Sequence, residues 1–341
     1  MFAVVTAITT LAQCSGSPAP LTAEVDTRNR EIVLRTAPVD VPVATGAGGY
    51  RDAHHRGPVS PLSPFAWPIN GWARGFRLRV IDCGGNEVAR SGLHHAVVLD
   101  LGRRELTHPI YQRLVAFGQE TEDVVLPKGV GIRLTKGDSL GLYAAWMPSQ
   151  AGAGRVMLEL RIPYLPENIN PRPIEVLPAG FDVRYQPGEG ASFDLPPGTS
   201  TRERAFDMPL DGRLVLAGGH AHDFATSMVL IHEATGNRVV DITPRLDPQG
   251  RLLEMPRKLY GVTGRGVKLE AGHRYRLVVR YHNPTGTVLS KGGMGILVGL
   301  FSPDDAKQWP ALDRTASGFA RDLEMLARDG LLDRPTGGRA P

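Results

Sequence analysis

The chain has no run of lysine and arginine with interleaved aromatics, although its net charge is +4 and its pI about 9.2. Basic residues scattered in this way argue against a nucleic-acid surface. Four tryptophans and eight tyrosines give little sign of an aromatic platform for carbohydrate. No apolar run is long enough to span a bilayer as a helix. Cysteine is nearly absent, with only Cys14 and Cys83. A Cys14–Cys83 disulfide therefore requires that Cys14 be retained in an oxidising compartment. If the segment around Cys14 is removed, Cys83 is expected to be a lone buried thiol.

The 341 residues, 42% hydrophobic and 22% charged, are enough for two ordinary globular domains. Glycine (40) and proline (28) recur between short apolar runs, the punctuation of an all-β chain. Phe76-Arg77-Leu78-Arg79-Val80-Ile81 alternates as a half-buried strand does, and Asp82-Cys83-Gly84-Gly85-Asn86 is a turn. The pattern is repeated. Gly131-Ile132-Arg133-Leu134-Thr135-Lys136-Gly137 matches Gly266-Val267-Lys268-Leu269-Glu270-Ala271-Gly272. Residues 140–148 then resemble 275–284, and 154–158 resemble 293–297, in the same order. Short strands with irregular connections favour two tandem jelly-roll-like antiparallel β-sandwiches. The expected division is 21–163 and 179–302, with a proline-rich linker at 164–178. In 303–341 the apolar residues change to helical spacing, at Leu312, Phe319, Leu323, Leu326, Leu331 and Leu332. A short C-terminal helix is expected there, starting at Asp313 or Thr315 and ending at Gly330.

Residues 1–20 read as a truncated signal segment. Residues 1–12 are apolar and as long as a signal-peptide core, but no basic residues precede them. Leu11-Ala12-Gln13-Cys14 is close to a lipoprotein cleavage box, with Gln13 where a small residue is wanted. A secreted or periplasmic protein is expected, with lipid anchoring at Cys14 as one variant and a cytosolic core strand as the alternative.

Histidine carries the chemistry. Gly218-Gly219-His220-Ala221-His222-Asp223 places two imidazoles on one face of a strand. The glycines allow another strand or a ligand to approach closely, and Asp223 could orient an imidazole. Met294, in Gly292-Gly293-Met294-Gly295, is either a core residue or a thioether ligand. Two imidazoles and a thioether suit a soft or borderline metal, copper above all. His94-His95 differs, because adjacent residues of a regular strand point to opposite faces. Both can reach one metal only if a bulge or loop turns one of them. His282, twelve residues before Met294, is a further candidate ligand or a histidine at a strand end. His54-His55 reads as part of a solvated loop.

In their order and domain placement these motifs resemble the copper type II, ascorbate-dependent monooxygenases, the peptidylglycine α-hydroxylating and dopamine β-hydroxylating enzymes. The resemblance covers about residues 75–302. It implies two jelly rolls, with copper at His94-His95 in the first and at His220, His222 and Met294 in the second. Leu126-Pro127-Lys128-Gly129-Val130-Gly131 also resembles the segment ahead of the family's third first-site histidine. That histidine should fall near Ala145-Trp146-Met147, where Met147 is the only soft donor. The activity implied is hydroxylation of an activated C–H bond in a small-molecule or peptide substrate, using O2 and an external reductant such as ascorbate. The missing histidine leaves a second expectation open, a non-catalytic module that binds copper or zinc.

Overall fold

The computed structural model describes residues 20–43, 57–118, 121, 123–149, 154–261 and 266–332. The first half folds into β1 (Leu21–Asp26), β2 (Glu31–Thr36), β3 (Val59–Ala66), β4 (Gly75–Asp82), β5 (Leu93–Arg104), β6 (Tyr111–Phe117), β7 (Ser139–Trp146) and β8 (Gly154–Pro166). One sheet runs β1-β2-β8-β4 and the facing sheet β3-β7-β5-β6, all antiparallel. The second half adds β9 (Leu177–Asp182), β10 (Gly198–Asp207), β11 (Gly212–Ala221), β12 (Ala225–His232), β13 (Arg238–Ile242), β14 (Arg274–Asn283), β15 (Leu289–Gly293) and β16 (Gly295–Pro303). Its sheets run β9-β16-β11 and β10-β14-β12-β13. The order β2-β8-β4 is thus repeated as β9-β16-β11, and β3-β7-β5-β6 as β10-β14-β12-β13. The chain is two tandem jelly-roll sandwiches, and shorter strands flank the main paths.

Each sandwich has its own core, built from the inward residues of alternating strands. Ile32, Leu34, Leu78, Val80, Leu158 and Leu160 fill the first. Phe181, Leu214, Met228, Leu230, Leu277 and Val279 are among those filling the second. β5 is apolar on both faces, so it reads as a continuous hydrophobic run. Ala96 and Val98 point into the core, while Val97, Leu99 and Leu101 point outward under helix α1 (Ser317–Arg328). Phe319, Leu326 and Leu331 are buried on that outer face, with Leu312, Leu323 and Leu332 packed around them. All six helical-period residues therefore do one job. The helix starts later than the sequence indicates. Asp313 accepts from the Thr315 N–H at 2.8 Å and closes the turn ahead of the helix, and Ala316 holds the N-cap position. Gly330 follows the helix in a left-handed conformation, φ +72°.

The connection between sandwiches is shorter than expected. β8 continues to Pro166, pairing Leu165 with Trp72, and β9 begins at Leu177. The β5–β6 loop reaches into the second half. Thr107 Oγ1 donates to the Gly180 carbonyl and Gln112 Nε2 to the Pro178 carbonyl, each at 2.8 Å. The His108 ring packs 5.0 Å from Tyr185. The Tyr185 hydroxyl in turn donates to Asp322 on α1, so the helix packs on the first half and is hydrogen-bonded to the second. Among the described residues, no helix is long and apolar enough to cross a membrane. Cys83 is half-buried and disulfide-bonded in the full chain, the alternative expected where the segment around Cys14 is retained. Cys14, the signal segment up to residue 19, and His54-His55 lie outside the described residues.

Candidate metal centres

The second pair sits at the end of β11, where the ladder to β16 pairs His220 with Ile296 and Ala221 with Gly295. Alternation puts His220 and His222 on one side, with ring centres 5.5 Å apart and planes at 85°. Gly219 makes the crossing possible, because a Cβ there would meet the Ile296 carbonyl oxygen at 2.8 Å and Met228 Sδ at 2.9 Å. Burial pushes both imidazoles down to about 4, and His222 is depressed further by His220 beside it. Both are therefore neutral at pH 7, the form that binds metal. The Gly292 and Lys291 backbones lie close enough to the His222 ring to offset part of that depression. They belong to β15, in which Lys291 is left-handed (φ +49°) and its N–H donates to Asp194 Oδ1 at 2.8 Å. An acceptor beside one ring nitrogen is the kind of contact that orients a histidine ligand. Asp223 was expected in that role. Its carboxylate instead accepts from the Leu252 N–H at 2.9 Å.

Met294 lies between β15 and β16, one residue before the Ala221–Gly295 pair, so its backbone runs alongside His222. Tyr281 ties the two together. Its buried hydroxyl donates to the Met294 carbonyl, accepts from the Met294 N–H at 3.1 Å, and lies 3.4 Å from the His222 N–H. Burial raises this phenol to about 12, so it remains protonated. Met294 is half-buried and does not belong to the apolar core that takes Met208 and Met228. The sequence gives a hint of Tyr281, which sits beside His282 on β14 and so must face the opposite way. His282 is exposed on that other face, with Nδ1 3.2 Å from Thr199 Oγ1. The structure does not bring it to His220 and His222.

The first pair opens β5. Here the ladder to β7 pairs His95 with Ala145 but Leu93 with Trp146. One extra residue, His94, is accommodated on β5, which is a β-bulge. The bulge lets neighbouring side chains share a face, and the rings stand 4.5 Å apart at 55°. The edge of Tyr143 lies against His95 at 5.8 Å. Met147 is buried on the neighbouring strand end, its N–H donating to the Gly92 carbonyl at 2.9 Å.

Two imidazoles on one ion, with bonds of about 2.0 Å, have ring centres at most roughly 6.4 Å apart. Both pairs meet this limit. Neutral nitrogens and a methionine whose backbone runs alongside make the second set the better fit to a soft metal.

No family model matches the chain, and no curated protein sequence does. Among solved structures it resembles the STIV MCP at 10% identity and TM-score 0.38, covering 75% of this chain and 94% of that one. It also resembles peptide:N-glycanase F at 11% identity and TM-score 0.35, covering 77% and 95%. The major capsid protein P2 from bacteriophage PM2 gives 12% and 0.35, covering 80% and 98%. Similarity at this level carries no argument about function.

Proposed function

We propose that the chain is a copper-dependent, monooxygenase-like protein that hydroxylates an activated C–H bond, with one copper-binding pair in each sandwich. The observation that carries this reading is the Tyr281 hydroxyl bridging the backbones of His222 and Met294. It sets a His-x-His strand end beside a methionine, and this donor set favours Cu(I). Bound copper would supply one-electron chemistry with O2.

The chain's own residues do the positioning. His220 and His222 present neutral nitrogens, the Lys291–Gly292 backbone lies beside the His222 ring, and Tyr281 holds the backbone on either side. In the overall reaction one oxygen atom enters the C–H bond and the other leaves as water. An external reductant such as ascorbate provides two electrons, and copper at the His94-His95 pair would relay the second of them. The substrate, a small molecule or peptide, would bind in a cleft between the sandwiches. Export belongs to the same proposal, since a disulfide at Cys83 persists in an oxidising compartment. Lipid anchoring at Cys14 and disulfide use of the same sulfur exclude each other.

One observation favours a second reading. Ala145-Trp146-Met147, directly beside His95, holds no histidine. A module that binds copper or zinc without turnover would need no electron-relay site. Copper stoichiometry and O2 uptake separate the two. Two coppers per chain with ascorbate-dependent O2 uptake support the enzyme. One copper without uptake supports the module.

A further inference from the structure

We infer that His232, Glu270 and His273 form a separate zinc site at the far end of the second sandwich, where the ion would staple the β12–β13 turn to the turn before β14. The side-chain donor atoms of all three lie within 4.8 Å of one another. His232 is the last residue of β12, whereas His222 precedes its first residue, Ala225. Seven strand steps of about 3.3 Å separate the two ends of β12, roughly 23 Å. This cluster therefore shares no ligand with the His220–His222 pair.

The three residues come from two connections that the fold brings together. His232 is buried, with its ring edge-on to Tyr275 at 4.9 Å. Glu270 and His273 belong to one tight turn, closed by the His273 N–H on the Glu270 carbonyl at 3.1 Å and by Gly272 at φ +72°. The turn is anchored from two sides. The Gly272 N–H donates to the Met208 carbonyl at 2.9 Å, and the Glu270 N–H to the Tyr275 hydroxyl at 3.0 Å. Backbone positions are thus fixed, and only side chains need adjust.

The donor chemistry fits a borderline dication. Two imidazoles and a carboxylate, with a fourth position open to water, make up a common zinc set. His232 Nε2 stands 2.8 Å from His273 Nδ1, and Glu270 Oε2 is 3.5 Å from the same Nδ1. Nitrogens on a tetrahedral ion are about 3.3 Å apart, so exposed His273 has to swing out by roughly half an ångström. A metal on His232 Nε2 also requires the imidazole proton to sit on Nδ1. Thr235 Oγ1 is 3.1 Å from Nδ1 and can accept it, the outer contact that orients a histidine ligand, once the longer 3.3 Å hydrogen bond that the Thr235 N–H donates to the same nitrogen is released. Lys268 occupies Glu270 Oε1 at 2.9 Å and leaves Oε2 turned toward the histidines. The sequence gives no spacing signal, because His232 and His273 are 41 residues apart.

The test is zinc titration of the full chain against a chromophoric chelator, with the thermal midpoint read in parallel. The probe is zinc alone. His273→Ala changes an exposed side chain but removes the 2.8 Å partner of buried His232, so it should fold with a zinc-free melting temperature somewhat below the parent's, and each protein is compared with its own zinc-free state. Relative to the parent it should lose one zinc equivalent, or weaken that equivalent by at least about 100-fold, and lose the zinc-induced rise in melting temperature. Glu270→Gln should weaken the same equivalent. The double change His220→Ala, His222→Ala should leave it intact, which separates this site from the proposed copper pair. If His273→Ala binds as much zinc as tightly as the parent, or if the double change removes the equivalent instead, the proposal is overturned. In that case the cluster is a hydrogen-bonded histidine pair and nothing more.

Discussion

The first and second histidine pairs occupy equivalent corners of the repeat. His94-His95 opens β5 after the connection from β4, and His220-Ala221-His222 closes β11 before the connection to β12. The second pair gets its shared face from alternation at the end of β11, with His222 one residue past the last ladder pair, and three further elements support it: the Lys291 segment of β15, Met294 and Tyr281. The first pair gets its shared face from one bulged residue and has Tyr143 and Met147 for neighbours. A face set by strand period is held by every pair in the ladder. A face set by a bulge depends on a single register shift. The second site is accordingly the better organised.

The comparison breaks most severely if the second pair is removed. His220→Ala with His222→Ala should lower copper affinity at that site by orders of magnitude and leave the first pair's copper in place, as read by a Cu(I) chelator competition. Unchanged binding would place copper elsewhere. Deleting His94 alone tests the bulge. The chain should still fold, with a loss of about 1–3 kcal/mol in denaturant unfolding, and the first copper should go while the second stays. A protein that fails to fold would show that the extra residue is not the locus of the register shift.

Tyr281→Phe should act on the second site only. It strips a partner from the buried Met294 N–H and carbonyl. The expected cost is about 1–3 kcal/mol of stability, with copper affinity at the second site down by about 10–100-fold. Equal loss at both pairs would mean a global effect.

His108 sharpens the comparison from outside either site, at the contact between the halves. Burial, with Arg204, Arg113 and Arg104 nearby, lowers its imidazole to about 3, against 6.5 when unfolded. Between those values the unfolded chain binds more protons, so stability falls as the pH drops from about 6.5 toward 3. His108→Gln should reduce that slope, leaving the part that His220 and His222 contribute, with copper binding at both pairs unchanged. A slope identical to the parent's would exclude His108 as its source.

The repeat, the sandwich class and the helix were legible because each depends on periodic apolar spacing: the six helical-period residues all pack on the outer face of the β5 sheet. His220 and His222 were legible for the same reason, since i and i+2 need no tertiary information. His94-His95 was legible only as a condition, because a bulge depends on how β7 pairs with β5. The later start of α1 and the extension of β8 to Pro166 are end effects that turns and edge pairing decide. Tyr281 and the Lys291 backbone act through contacts between distant strands, and the local pattern gives no account of such contacts. His282 illustrates the converse. Its nearness to Met294 in sequence suggested a ligand, but its strand parity sends it to solvent.

Met294→Leu tests the second site most directly. A core methionine would tolerate leucine with a loss under about 1.5 kcal/mol and no effect on metal, whereas a ligand methionine would fold as well but lose its sulfur. Cu(I) affinity and thermal stability should be measured together on the full chain. The expected result is near-parent stability with Cu(I) affinity reduced at least about tenfold, because soft sulfur favours Cu(I). Cu(I) affinity equal to the parent's would remove Met294 from the site and contradict the copper assignment on which the proposed activity stands.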